Sequence, residues 1–121
     1  MAIVGYFEGT DPTTLTRLTV RGIETLPLSN GYDSHGRLVG HVTRDQVHVI
    51  IGYLHKALPA AGTNLSSKDI LYNCQVHMIP VILVAERSDH ERARAVLADM
   101  GSYVTLTTAE ELFDTVLSKI S

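Results

Sequence analysis

The stretch Glu24-Thr-Leu-Pro-Leu-Ser-Asn-Gly-Tyr-Asp-Ser-His-Gly-Arg-Leu-Val-Gly-His-Val-Thr43, with the apolar run that follows it, constrains this chain more than any other segment. It reads as a strand, a polar turn, a second strand and a capped amphipathic helix. Residues 23–28 supply the first strand, in which Pro27 argues for a sheet edge or an unpaired N–H. Residues 37–42 supply the second, and the Asn30-Gly31 and His35-Gly36 turn signals between them predict an antiparallel pair joined by a long loop. Thr43 and Gln46 have capping-box spacing, and Val47, Ile50, Ile51, Leu54 and Leu58 fall on one helical stripe. This pattern predicts a helix over residues 43–58.

The rest of the chain alternates strand and helix signals, which assigns it to the α/β class. Residues 2–7 form a short apolar run ended by Gly9, and Asp11-Pro12 then places an acid at an N-cap with proline at the first helical position. Thr13, Thr14, Thr16 and Thr19 weaken that helix, so packing rather than propensity must hold it, and Gly22 supplies its stop. Residues 59–66 have linker composition. A short helix over 67–75 leads into a buried strand over 76–85. Ser88 and Glu91 repeat the capping-box spacing ahead of Ala93, Val96, Leu97 and Met100, and Gly101 ends that helix. A last strand over 103–107 precedes a helix opened by Thr108 and Glu111, with Leu112, Phe113, Val116, Leu117 and Ile120 on its buried side.

The expected architecture is a small single-layer or three-layer α/β domain. Its first half, 1–58, runs strand-helix-strand-strand-helix, and after the linker its second half, 67–121, runs strand-helix-strand-helix and packs on the first. A degenerate tandem repeat is suggested by the match of Arg17-Leu-Thr-Val-Arg-Gly22 to Val96-Leu-Ala-Asp-Met-Gly101 and of Thr43-Arg-Asp-Gln46 to Thr108-Ala-Glu-Glu111. The alternative is one doubly wound sheet whose strand-helix units look alike because each must bury one face.

Composition excludes several classes. At 121 residues and 45% apolar content the chain suits one compact domain. Its charge of −3 arises from scattered residues and offers no single-sign field for nucleic acid or anionic lipid. Cys74 has no cysteine partner, and the longest apolar stretch, residues 78–85, is far shorter than a membrane span. A cytoplasmic protein that binds neither nucleic acid nor membrane is expected.

Leu26-Pro27-Leu28, the polar turn, Gly36-Arg-Leu-Val-Gly-His-Val-Thr43 and the run after it resemble the ligand-binding half of a CBS module, the regulatory repeat named after cystathionine β-synthase. The resemblance covers residues 20–58. It implies a paired module that binds an adenine nucleotide, with Thr43 at the phosphate. In the position where the family carries a ribose-binding Asp this chain has Gln46, and the nearest acid is Asp45. The second half has no comparable Gly-x-Leu-Val-Gly segment.

Of the six histidines, His41, His48 and His55 are spaced by seven. On a helix His48 and His55 would stand roughly 10 Å apart, too far to share one ion. Asp33, His35 and His41 are the metal candidates, without a second cysteine or a His-x-x-x-His pair to support them. Asp33-Ser34-His35 contains triad residue types, but sequence neighbours point apart. Cys74 beside His77 reads as a small core residue. Glu86, Arg87, Asp89 and His90 follow a buried strand, where α/β sheets keep their ligand crevices. Neither GxGxxG nor GxxxxGK[ST] occurs, so anion binding would fall to weaker sites at capped helix starts, the loop at residues 62–67 and Thr43 with Arg37 and Arg44.

These features single out Thr43, Arg37, Arg44, Gln46, Glu86 and His90 as ligand-binding residues. The expected function is a regulatory module that binds an adenine nucleotide or another small anion and works as a homodimer or higher oligomer, its cofactors undetermined. The rival is a Rossmann-like or flavodoxin-like enzyme using Asp33, His35 and His41 near Glu86 and His90 as acid and base. A third reading is an interaction module built on a His48, Gly52, His55 helical flank. An antiparallel hairpin within a two-fold repeat favours the first, and an all-parallel sheet favours the second.

Overall fold

The computed structural model of the chain describes residues 2–7, 9–29, 37–38, 47–54, 78–96 and 104–120. Within them the chain forms β1 (Ile3–Phe7), α1 (Pro12–Val20), β2 (Glu24–Ser29), β3 (Arg37–Leu38), β4 (Val49–Tyr53), β5 (Val81–Val84), a 3₁₀ turn (Arg87–Asp89), α2 (His90–Val96), β6 (Val104–Thr107) and α3 (Leu112–Ile120). The strands make one six-stranded sheet in the order β3-β2-β1-β4-β5-β6. Every neighbouring pair is parallel. The α/β class is therefore as expected, and strands from both halves of the chain share one sheet.

Two element assignments are corrected. Residues 49–53 are a strand, β4, and not part of a helix over 43–58. The five residues sit between β1 and β5 in register Val4↔Val49, Tyr6↔Ile51 and Ile51↔Ile82. A strand buried on both faces of a parallel sheet is apolar at nearly every position, and Val49-Ile50-Ile51 and Val81-Ile82-Leu83-Val84 both have that composition. β3 pairs parallel to β2, through Leu28↔Arg37 and Ser29↔Leu38, in place of the antiparallel hairpin. That pairing begins at Leu28, so β3 does not cover the outer side of β2 at Pro27, where no N–H is available to a ladder. The expected linker, the short helix over 67–75, residues 39–46 and Leu58 lie outside the described residues.

The pleat divides the core in two. Val4, Val49, Ile51, Ile82 and Val84 point to one face and pack with Leu18 of α1 and with Leu112, Phe113 and Val116 of α3. Phe7, Leu28, Ile50, Val81 and Leu83 point to the other and form a second buried cluster with Val47 and Ile79. Leu54, expected on the same stripe as Ile51, packs against this second cluster.

Local chemistry fixes α1 despite its threonines. The Asp11 carboxylate accepts from the Thr13 N–H at 3.1 Å and from the Thr14 hydroxyl at 3.2 Å, and Pro12 occupies the first turn. At the other end Gly22 adopts φ +81°, its N–H donates to Thr19 O at 2.9 Å, and the Ile23 N–H donates to Leu18 O at 3.1 Å. This is a Schellman closure, and its accompanying apolar contact is made by Leu18 and Ile23 in the same cluster. The Arg17 guanidinium lies 3.9 Å and the Arg21 guanidinium 5.7 Å from the centre of the Phe113 ring, tying α1 to α3. Among the described residues no helix is long and apolar enough to cross a membrane.

Candidate functional site

Because all six strands run the same way, their carboxyl ends share one edge, and the segments leaving β4, β5 and β6 surround a cleft of about 950 Å³. Tyr53 and Leu54 close β4, Val84 and Ala85 close β5, and together they give the cleft apolar surface. Glu86, Arg87 and Asp89 come from the segment after β5. Thr108, Ala109, Glu110 and Glu111 come from the segment between β6 and α3. Arg87 Nη2 donates to Glu111 Oε1, joining these two segments with an exposed ion pair.

His90 holds the edge from below. Its side chain is nine-tenths buried, and Nε2 lies 3.0 Å from Ala85 O and 3.1 Å from Thr107 O. Two carbonyl acceptors require the proton on Nε2, so the ring donates to the ends of β5 and β6 together. The Ala85 N–H reaches Thr107 O at 3.0 Å and completes the bracket. His90→Phe keeps the ring and removes the donor. It is expected to cost about 1–3 kcal/mol in urea melts, with His90→Gln recovering part of the loss. A His90→Phe protein as stable as the wild type would show that the bracket contributes nothing.

Two threonines at the end of the last strand, Thr107 within it and Thr108 just beyond, behave differently. Thr107 Oγ1 lies 3.1 Å from Thr115 Oγ1, which itself donates to Glu111 O at 2.8 Å. Thr108 is only 7% exposed and lines the cleft, yet its hydroxyl has no hydrogen-bond partner among the described residues. No buried side-chain oxygen there is both sealed and unpaired, so this hydroxyl faces accessible space. The capping-box reading of Thr108 is corrected: its carbonyl, not its hydroxyl, accepts from the Glu111 N–H at 3.2 Å. Ser88 likewise lies inside the 3₁₀ turn and is not the cap of α2.

The residues singled out in the sequence fall in different places. Glu86 lines the cleft, while the His90 ring is spent on the strand ends. Arg37 begins β3, and β2, β1 and β4 separate it from β5. Its side chain, together with Thr43, Arg44, Gln46, Asp33, His35, His41, His55, Cys74 and His77, lies outside the described residues. Among the described residues no group of His, Cys, Asp or Glu is placed to hold a metal ion. His48 and Gly52 do not form a helical flank. The His48 Nδ1 accepts from the Ile3 N–H at 2.9 Å, and Gly52 lies within β4.

The first strand-helix turn, where a doubly wound fold would place a phosphate, is filled by the protein itself. The Asp11 carboxylate occupies the start of α1, and the Thr10 hydroxyl donates to Phe7 O at 2.7 Å. Tyr53, Leu54, Thr108 and Glu110 were not legible as site residues. The first two sat within an expected helix and the last two within an expected cap. Their common signal is position, immediately after or at the end of a parallel strand. The chain matches no protein-family model and no curated protein sequence.

Proposed function

We propose that this chain is a small-molecule-binding module whose ligand occupies the cleft over β4, β5 and β6. The observation that supports this reading most directly is the cleft's place at the carboxyl edge of a parallel sheet, where open α/β folds take their ligands. Its volume suits a metabolite-sized molecule, and its apolar surface with a few convergent polar groups has the usual make-up of such sites. The all-parallel sheet favours a Rossmann-like or flavodoxin-like architecture over a CBS-type pair, and within that architecture the proposed role is recognition. Of the acid and base residues of the enzyme reading, Glu86 faces the cleft, whereas the Nε2 proton of His90 is committed to two carbonyls.

Adenine nucleotides, the ligands implied by the CBS resemblance, belong in the same test, with any docking beside Thr43 counted separately from the cleft. A metabolite library is screened by ligand-observed NMR against the wild type and against Ala109→Trp, which adds bulk at an exposed position of the lip. Cleft ligands are expected to lose their signal in the variant. At a hundredfold excess over Kd each should stabilise the wild type by about 2.7 kcal/mol. If every hit survives Ala109→Trp, the cleft is not the binding site.

A further inference from the structure

The cleft's charge is one-sided. Glu86, Asp89 and Glu110 stand around it without an ion-pair partner among the described residues, and its cation, Arg87, is neutralised by Glu111. These carboxylates are too dispersed to converge on one metal ion. Behind them Thr108 is more than nine-tenths buried and presents an unpartnered hydroxyl to the cleft. A hydroxyl open to the cleft that no described residue bonds leaves hydrogen-bonding capacity for a ligand to satisfy. Leu54 and Val84 offer hydrocarbon to the ligand's body.

We infer that the cleft selects organic amines: an ammonium group drawn in by the combined negative charge of Glu86, Asp89 and Glu110, a polar atom bonded to Thr108, and an apolar body lying on Leu54 and Val84. This inference rests on the proposed binding role and narrows it to a ligand class. It runs against an anionic ligand such as a nucleotide, because three unpaired carboxylates repel the phosphates that the cleft's paired arginine has no spare charge to hold.

A matched series tests it, with phenethylamine, phenethyl alcohol and phenylacetate as cationic, neutral and anionic probes of nearly the same shape. Titration of the full chain at low salt, read by chemical-shift changes, is expected to rank the amine about tenfold or more above the alcohol, with phenylacetate weakest. The combined variant Glu86→Gln, Asp89→Asn, Glu110→Gln alters exposed positions only. It should bring the amine's affinity down to that of the alcohol measured on the same variant. Thr108→Val, which keeps the side chain's shape, should weaken both amine and alcohol severalfold. Added salt should erode the amine's advantage. An amine that binds no better than its isosteres, or a preference that survives the triple variant, overturns the inference. So does the failure of the amine to bind at all. In each of those cases the cleft reading stands or falls separately, on whether library hits are lost in Ala109→Trp.

Discussion

Replacing Ile51 by Ala is expected to destabilise the protein by about 2–5 kcal/mol. Ile51 has no exposed surface, lies opposite Tyr6 on one side and Ile82 on the other, and packs in the cluster that α1 and α3 cover. Truncation removes three carbons from a site whose neighbours belong to the sheet's central strands and have little freedom to close the gap. The pleat predicts more than the size of the loss. Ile51→Ala combined with Ile82→Ala, its register partner in the same cluster, should depart from additivity by about 0.5–3 kcal/mol. Combined with Leu28→Ala, in the cluster on the opposite face, the losses should add to within about half a kilocalorie. Urea melts of the single and double variants measure all of this. A loss under 1 kcal/mol for Ile51→Ala would take this residue out of the core.

The same residue explains how far the sequence could be read. Selecting Val47, Ile50, Ile51, Leu54 and Leu58 gives a clean helical stripe, and Thr43 with Gln46 gives it a cap. The stripe omits Val49 and Tyr53, which are apolar as well, so residues 49–54 offer an apolar side chain at every position except Gly52. A run of that kind, rich in β-branched residues, fits a strand buried on both faces better than an amphipathic helix. The period was ambiguous because one stripe of a helix can always be drawn through a continuous apolar run. Elements with a single strong signal were legible: Asp11-Pro12 and Gly22 mark the two ends of α1, and the apolar run before Glu86 contains β5. The direction of β3 was not legible, because turn signals between two strands record that the chain bends and say nothing about which way the next strand pairs.

The site was less legible than the fold for a related reason. Glu86 was found because it directly follows a strand whose run is unmistakable. Thr108 satisfies the spacing of a capping box as well as the requirements of a ligand contact, and the sequence cannot separate a hydroxyl that closes its own helix from one left open. The difference is made by α3 beginning at Leu112, where the Thr108 carbonyl takes the Glu111 N–H and the hydroxyl is released. His90 shows the converse. A titratable side chain beside a cleft has the appearance of a catalytic group, and packing assigns it to two carbonyls.

Gly52→Val is expected to destabilise the protein by about 1–3 kcal/mol or more through overpacking. A Cβ at this position would fall 2.7 Å from Phe7 Cδ2, 3.1 Å from Phe7 Cβ and 3.3 Å from Phe7 Cγ. A ring can rotate away from a close atom, but Phe7 Cβ moves only with the backbone of β1, which is pinned between β2 and β4. Against this stands the gain of about 0.5–1 kcal/mol from removing a strand glycine, so Gly52→Ala should lose less than Gly52→Val. Gly5 provides the control. Its added Cβ would lie 2.5 Å from Leu28 Cδ1, the far end of a side chain that can change rotamer, with Val47 Cγ1 at 3.2 Å and Leu28 Cγ at 3.3 Å beyond it. Gly5→Ala should therefore be milder despite the shorter distance. Phe7→Leu makes room at Gly52 while costing core contacts of its own, so Gly52→Ala with Phe7→Leu should cost less than the sum of the two singles, by at least about 0.5 kcal/mol. Denaturant midpoints for the wild type and the five variants decide the matter. A Gly52→Val chain as stable as the wild type, or strict additivity with Phe7→Leu, would show that β1 and β4 do not approach as closely as the Phe7 contact requires.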